Sequence, residues 1–321
     1  WWSVLVGRDV SQMKAYFSGY DTLFIDEAQR IPEIGLSLKI IRDSMSHVRL
    51  LVTGSSSLDL ASKLSEPLTG RMYHFRLYPI SVGELSSLVE IAELEQMRDD
   101  RLIYGSYPEV FSFPSMQERE HYLLHVTDAY LYRDLLEFGD IRNSDKIRDI
   151  LKLLAFQIGN EVSLSELARS VEMSRVTVDR YIDLLEKSYI IFRRHGFSRN
   201  LRKEVTKMDK IYFYDLGIRN ALIGNFHRLA DRNDVGALWE NFLMVERMKK
   251  LEYSGAFYSH AFWRLTTGAE IDLIEDRDGT LHGYEFKYSQ KKSTPPHSFL
   301  TTYPSSTVET ITTDSWRDFV I

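Results

Sequence analysis

The chain has 321 residues, of which 44% are hydrophobic and 27% charged, a composition typical of two or three globular domains. Forty Lys and Arg against 46 Asp and Glu give a net charge of -6, which excludes general polyanion binding, so any nucleic-acid contact must be local. The absence of cysteine excludes disulfides, thiolate metal sites and a cysteine nucleophile. Together with the lack of a run of about 20 apolar residues, it favours a cytoplasmic protein without a membrane partner.

The first predicted unit lies in residues 22–54. An apolar run at 22–25 ends in Asp26-Glu27, and a second run at 48–52 ends in Thr53-Gly54-Ser55. Apolar residues recur at roughly helical spacing between the two runs. This order predicts a βαβ unit of a parallel sheet. An acidic, helix-prone stretch follows, and the sequence at 104–108 breaks it, so we predict that the first domain ends there.

A second predicted unit begins near Asp145 and consists of helices followed by a β-hairpin. An apolar stripe at 147–158 predicts one helix, and a capping box at 163–166 opens the next. A turn at 173–174 leads to a further helix, and two β-type runs follow at 189–192 and 211–214. Helix, turn, helix and hairpin in this order are typical of a winged helix.

The last section, from Asp215 to Ile321, predicts an α/β arrangement. A helix is expected at 238–251, followed by strands at 262–264, 270–274 and 281–287. The turn at 276–279 joins the last two strands into a hairpin.

Asp26 and Glu27 follow an apolar strand of the predicted parallel sheet. The carboxyl ends of parallel strands form the edge where ligands of open α/β folds bind. In P-loop ATPases the first acid holds magnesium and the second orients water, and Thr53 or Ser55 on the next strand would bring a hydroxyl near the γ-phosphate. Many strands that end in acids lead only into a solvated loop. The prediction of a nucleotide site therefore depends on the acids and the hydroxyl residues following two adjacent strands.

The chain resembles prokaryotic AAA-type ATP-binding proteins in which an ATPase module precedes a winged helix and a restriction-endonuclease-like domain. The blocks that carry this resemblance lie at 23–29, 52–56, 68–71, 77–80, 84–85, 130–134, 213–217, 236–241 and 270–272. The resemblance implies that Asp26 and Glu27 are the Walker B acids, with ATP and Mg²⁺ as cofactors, and that Ser55 is near the sensor position. It also implies that Arg71 senses γ-phosphate charge in cis or on the nucleotide of a neighbouring subunit in a homo-oligomer.

The fold class predicted in this way is α/β, with a partial P-loop sheet domain, a winged helix and an endonuclease-like domain. We expect an AAA-type domain at 1–105, a helical connector at 106–144, a winged helix at 145–210 and the endonuclease-like domain at 211–321. One departure is large, because no Gly-x-x-x-x-Gly-Lys-Ser/Thr loop occurs in these residues, and this loop cradles the phosphates. With the start at Trp1, this favours an amino-terminal truncation and weak or absent ATP binding by this chain.

Two acids and a lysine lie on the two strands of the predicted hairpin. Asp272 lies on one strand, and Glu285 and Lys287 project from one face of the next. These residues resemble the Asp…Glu-x-Lys core of restriction endonucleases, with Glu240 as an additional acid, and they predict a Mg²⁺ site for phosphodiester cleavage. The alternative is a set of cross-strand ion pairs on a fold that cuts nothing.

A basic segment contrasts with the acidic average. Residues 187–203 contain six Lys and Arg and no acid, and the preceding helix adds basic residues near its amino end. Such local charge predicts contact with duplex DNA. The alternative is a winged helix that serves as a rigid connector, with its arginines paired with acids of the neighbouring domains. The predicted DNA contacts are Arg175, Arg180, Arg193, Arg194 and Arg199.

The sequence thus predicts part of an AAA-type ATPase with a DNA-binding-like carboxyl-terminal half. The intact parent would hydrolyse ATP, whereas this chain would not. One alternative is a DNA-binding protein or a nuclease that uses Asp272, Glu285 and Lys287. Another is an interaction module without catalysis.

Overall fold

A computed structural model describes residues 1–54, 68, 70–128, 144–198, 208–291 and 293–321. Its internal contacts divide the chain into two compact units. The first contains Trp1–Leu77 and Lys187–Tyr189, and the second contains Tyr78–Glu186 and Ile190–Ile321. The four parts expected from the sequence, with their bounds, stay a prediction. No helix in the described ranges is long and apolar enough to cross a membrane.

The first unit is built around the βαβ arrangement that the sequence predicts, preceded by two helices. Its elements are α1 (Trp2–Gly7), α2 (Val10–Phe17), β1 (Thr22–Ile25), a 3-10 turn (Ala28–Arg30), α3 (Ile34–Ser44) and β2 (Arg49–Val52). β1 and β2 pair in parallel, with Phe24 opposite Leu51. The buried face of α3 packs with Met13, Ile25 and Val48 in one apolar core.

The second unit begins with helices and continues into a three-stranded sheet. The elements are α4 (Val82–Ser86), α5 (Ile91–Tyr104), a 3-10 turn (Pro108–Ser112), α6 (Met116–Val126), α7 (Ser144–Phe156), β3 (Glu161–Val162), α8 (Leu164–Ser170), α9 (Arg175–Lys187), β4 (Ile191–Arg194) and β5 (Asp209–Phe213). The sheet order is β3-β5-β4, and both pairings are antiparallel. The predicted succession of helices and hairpin is therefore present.

The chain ends in an α/β part, as the sequence predicts. Its elements are α10 (Leu216–Leu222), a 3-10 turn (Leu229–Asp231), α11 (Val235–Tyr253), β6 (Ser259–Arg264), β7 (Glu270–Arg277), β8 (Thr280–Phe286), α12 (His297–Thr302), β9 (Thr307–Ile311) and α13 (Trp316–Val320). The sheet order is β6-β7-β8-β9, and β9 joins β8 in parallel. Asp278 and Gly279 have φ of 52° and 79°, which is the backbone of a two-residue hairpin turn.

A tight junction connects α5 to α10. Asp215 caps α10 by accepting from Ile218 N at 3.1 Å and also accepts from Ser106 N at 2.6 Å. Gly105 has φ +74°, and a Cβ there would lie 2.1 Å from Asp215 Oδ1. A Cβ on Gly217 would lie 2.2 Å from the Tyr104 carbonyl oxygen. The stretch at 104–108 that breaks the acidic helical pattern and the block at 213–217 therefore join these helices through contacts that only glycine permits.

Buried charges hold the same unit together. Glu246 of α11 accepts from Arg101 at 3.0 Å, from Lys249 at 2.8 Å and from Val82 N at 2.6 Å. Burial raises the pKa of Glu246, but the two cations outweigh it and lower this pKa below its usual value. This carboxylate therefore ties α4 and α5 to α11.

Another carboxylate, Asp234, lies just before α11. It pairs with Arg219 at 2.6 Å and with Arg232 at 2.8 Å. Partial burial works against ionisation, yet the two arginines lower the pKa of Asp234 to about 2.

Candidate functional site

The carboxyl edge of the parallel strand pair brings Asp26 and Thr53 together. Asp26 follows β1, Thr53 follows β2, and the Thr53 hydroxyl donates to Asp26 Oδ1 at 2.5 Å. The backbone supports this contact, because Thr53 N donates to the Ile25 carbonyl at 2.9 Å. Both side chains are in an exposed environment. A carboxylate and a hydroxyl at this edge have the chemistry of magnesium ligands.

Glu27 adopts a left-handed backbone conformation, with φ 51°. Its carboxylate accepts from Gln29 Nε2 at 2.7 Å and lies 3.5 Å from Arg30 Nε. A non-glycine residue in this region is uncommon and carries some strain. The Glu27 carboxylate is therefore held by its own 3-10 turn rather than by Asp26 or Thr53.

Arg71 pairs with Asp43 at 2.6 Å, and both side chains are about half exposed. Asp43 lies in the last turn of α3, which the chain leaves to enter the amino end of β2. The ion pair thus ties Arg71 to the end of the βαβ unit away from Asp26. The sensing role of Arg71 stays a prediction, and Ser55 lies outside the described residues.

A buried lysine is the centre of the acidic cluster in the second unit. Lys210 Nζ lies 2.5 Å from Glu270, 3.0 Å from Glu240 and 3.9 Å from Asp272. The Tyr212 hydroxyl donates to the same Glu240 oxygen at 2.6 Å. Burial alone lowers the pKa of Lys210, but the three carboxylates outweigh this effect and raise it above its usual value.

Asp272 and Glu285 are neighbours on adjacent strands. Leu273 pairs with Tyr284, so the antiparallel register places Asp272 beside Glu285 on the opposite face from these two residues. Asp272 Oδ2 accepts from Phe286 N at 2.8 Å. Burial and the charge of Glu240 raise the pKa of Asp272 to about 7, against the effect of Lys210.

Lys287 lies at the end of β8 with its amine 4.0 Å from Glu285 Oε2, and its side chain is half exposed. The predicted set of Glu240, Asp272, Glu285 and Lys287 is therefore gathered in one region of the fold. Within the described ranges, however, no group of three or more His, Asp or Glu side chains has the geometry to hold a metal ion. The lysine that occupies the space among the acids is Lys210. The present arrangement does not fit a bound Mg²⁺, and the predicted metal role stays untested.

The basic segment has internal partners at its centre. Arg193 forms ion pairs with Asp179, Asp183 and Glu186, all on α9. Arg194 stacks on Phe192 at 4.5 Å. These contacts agree with the connector alternative, although the acids come from the adjacent helix of the same unit.

The remaining predicted DNA contacts are Arg175, Arg180 and Arg199. Arg175 and Arg180 are exposed on α9. Arg199 lies outside the described residues. Contact with DNA stays a prediction for all five arginines.

Sequence reasoning did not select Lys210, Tyr212 or Glu270. A signal was present, because Lys210 and Tyr212 are two residues apart in an apolar strand and therefore project from one face. A lysine inside such a run needs a buried counter-charge. Only the fold shows that the counter-charges come from α11 and β7.

Comparisons with protein families match three parts of the chain. A model described as "AAA domain" matches residues 8–86. Two models described as domains of unknown function, DUF8612 and DUF4143, match residues 95–228 and 235–315. The chain is thus similar to AAA-type, ATPase-like proteins, and AAA domains as a class use ATP and Mg²⁺.

Curated relatives cover most of the chain. An uncharacterized protein of Mycobacterium tuberculosis is 32% identical over 275 residues, which are 84% of this chain and 59% of the relative. An uncharacterized protein of Methanocaldococcus jannaschii is 23% identical over an alignment 322 residues long. The alignment covers 91% of this chain and 70% of the relative. The chain spans about 59% of the mycobacterial relative's length. No solved structure matches the chain.

Proposed function

We propose that the carboxyl edge of β1 and β2, where Asp26 and Thr53 lie, is the magnesium-binding half of an ATP site in an AAA-type ATPase. The observation that carries the proposal is the Thr53–Asp26 hydrogen bond at the carboxyl ends of two parallel strands. The match of an AAA domain model to residues 8–86 supports it.

The residues present fit the metal but not the whole nucleotide. Asp26 would hold Mg²⁺, and Thr53 fixes the orientation of its carboxylate. Glu27 would orient the attacking water after its carboxylate exchanges its contacts with Gln29 and Arg30 for this water. Bound Mg²⁺ supplies charge neutralisation on the phosphates. The 321 residues contain no Gly-x-x-x-x-Gly-Lys-Ser/Thr loop, so under this proposal the phosphate loop would lie outside them.

Calorimetry with magnesium-ATP tests the proposal on two chains. The 321-residue chain should show no micromolar affinity, whereas a parent chain that includes a Gly-Lys-Ser/Thr loop should bind and hydrolyse ATP. In that parent, Asp26→Asn should lower hydrolysis by about 100-fold or more, because the metal loses its carboxylate.

Asp21→Asn is the matched control, since Asp21 is exposed just before β1. It should leave hydrolysis unchanged. Micromolar ATP affinity of the 321-residue chain would contradict the proposal, and so would a parent protein without the loop.

A magnesium-dependent nuclease is the second candidate. The specific observation in its favour is that Asp272 and Glu285 lie side by side on adjacent strands, with Lys287 two residues further. Cleavage of duplex DNA in the presence of Mg²⁺, abolished by Asp272→Ala, is the result that this candidate requires. The absence of cleavage across varied substrates removes it.

A third candidate is DNA contact by a winged helix formed by α7–α9 and the β3-β5-β4 sheet. The exposed Arg175 and Arg180 support it, whereas the ion-paired Arg193 supports a connector. A steep decrease of duplex affinity with salt is expected for DNA contact.

A further inference from the structure

Three carboxylates of the second unit converge on a lysine that comes from a different sheet. Lys210 lies on β5, whereas Glu240 lies on α11 and both Glu270 and Asp272 lie on β7. Lys210 is 1% exposed. The lysine therefore enters the acidic group from outside the hairpin that carries two of its acids.

Lys210 Nζ is the atom on which the three carboxylates converge. They lie 2.5, 3.0 and 3.9 Å from it, so Glu270 and Glu240 are within hydrogen-bond distance of the ammonium. Hydrogen bonds between two charged groups are shorter and stronger than those between neutral groups. Lys210 Nζ thus occupies the position at which an ion bridging these acids would bind.

The charges around this point do not balance without the lysine. Three carboxylates face one ammonium, and among the residues that the structure describes the further cation within 4 Å of them is Arg264, whose Nε is 3.7 Å from Glu270. The Tyr212 hydroxyl donates a hydrogen bond to Glu240 but brings no charge. Removing the ammonium would leave the buried Asp272 and the partly buried Glu240 without their cation and Glu270 with Arg264 alone, and carboxylates in this environment attract a cation or cost stability.

We propose that Lys210 is a built-in cation that keeps the carboxylates of Glu240, Glu270 and Asp272 closed to divalent metals. These carboxylates accept Mg²⁺ or Mn²⁺ when the ammonium is absent. The inference concerns the same acids as the nuclease candidate but does not depend on cleavage. Because its experiment measures metal binding and stability, its failure is distinguishable from the failure of that candidate.

The experiment compares the native chain with Lys210→Met, which keeps the length and apolar stem of the side chain. Mn²⁺ binding is measured by the loss of the free-ion signal in electron paramagnetic resonance, and melting temperature is measured with and without Mn²⁺. Lys210→Met should bind Mn²⁺ at least tenfold more tightly than the native chain, and Mn²⁺ should raise its melting temperature. Adding Asp272→Asn should abolish this gain.

Lys249→Met is the matched control. Lys249 is also 1% exposed and pairs with Glu246 at 2.8 Å, but that glutamate has Arg101 as a second cation. This variant should lose stability without gaining Mn²⁺ affinity. Equal Mn²⁺ affinity of the native chain and Lys210→Met would overturn the proposal, as would equal gains in both lysine variants.

A second variant covers the case in which Lys210→Met does not fold without metal. This double variant combines Lys210→Met with Glu270→Gln, which removes one of the three negative charges that faced the ammonium. The double variant should fold in the absence of divalent ions, whereas the single variant should need millimolar Mn²⁺. A double variant that stays unfolded with and without Mn²⁺ would show that charge compensation is not the role of Lys210, and would reject the proposal.

Discussion

Glu246→Gln tests whether buried charge compensation holds the second unit together. The Glu246 side chain is 2% exposed and accepts three hydrogen bonds, from Val82 N, Arg101 and Lys249. Glutamine has nearly the same volume, so the substitution creates no cavity. It removes the negative charge that is paired with both Arg101 and Lys249, and its amide group adds donors where acceptors are needed.

The magnitude follows from the burial of this group. Breaking a buried ion pair by removing one partner costs about 3–5 kcal/mol, because the other charge stays buried and uncompensated. With a urea m-value of about 2–3 kcal/mol per molar, the unfolding midpoint should fall by roughly 1–2.5 M. That loss is a large fraction of an ordinary domain's stability of about 5–15 kcal/mol.

Urea unfolding followed by tryptophan fluorescence is a suitable assay, because Trp239, Trp263 and Trp316 are buried in the second unit while Trp1 and Trp2 are exposed in the first. The control is Glu93→Gln, an exposed change in the first turn of α5 that should cost less than about 0.5 kcal/mol. If the midpoint of Glu246→Gln falls no further than that of this control, the compensation argument is refuted.

Three further predictions use other contacts. Asp234 has a folded pKa of about 2, below its usual 3.8, so the stability that its ion pairs give to the fold is present above pH 4 and is lost as pH falls towards 2. In Asp234→Asn, the melting temperature should therefore fall less steeply on the acid side of its pH profile. Gly105→Ala should lower the melting temperature more than Gly255→Ala, since both glycines have positive φ but only the Cβ at 105 meets other atoms. Arg193→Ala should lower thermal stability and leave duplex DNA affinity unchanged, because the side chain is held by three acids. If DNA binds, Arg180→Ala should instead reduce the salt dependence of affinity, measured by fluorescence anisotropy.

Local patterns were enough to predict most of the elements. The βαβ unit, the helices followed by a hairpin and the long helix α11 all follow from apolar periodicity and turn residues. β9 was not predicted, because its place is defined by parallel pairing with β8, a partner more than 20 residues earlier in the chain. Parallel pairing leaves no local turn signal that a sequence can show.

Residue types and spacing also predicted candidate acids for both sites, since Asp26 follows a strand and Asp272 and Glu285 lie on successive strands. Their surroundings depend on the tertiary structure. Lys210 is 62 residues before Asp272 in sequence and yet its Nζ lies 3.9 Å from the Asp272 carboxylate. Arg193 is neutralised by three acids on successive turns of α9. The sequence by itself therefore determined most of the strands and helices and which groups carry charge. Only the tertiary structure decided which charges compensate one another, because ion pairing acts over a few ångströms between side chains that distant segments bring together.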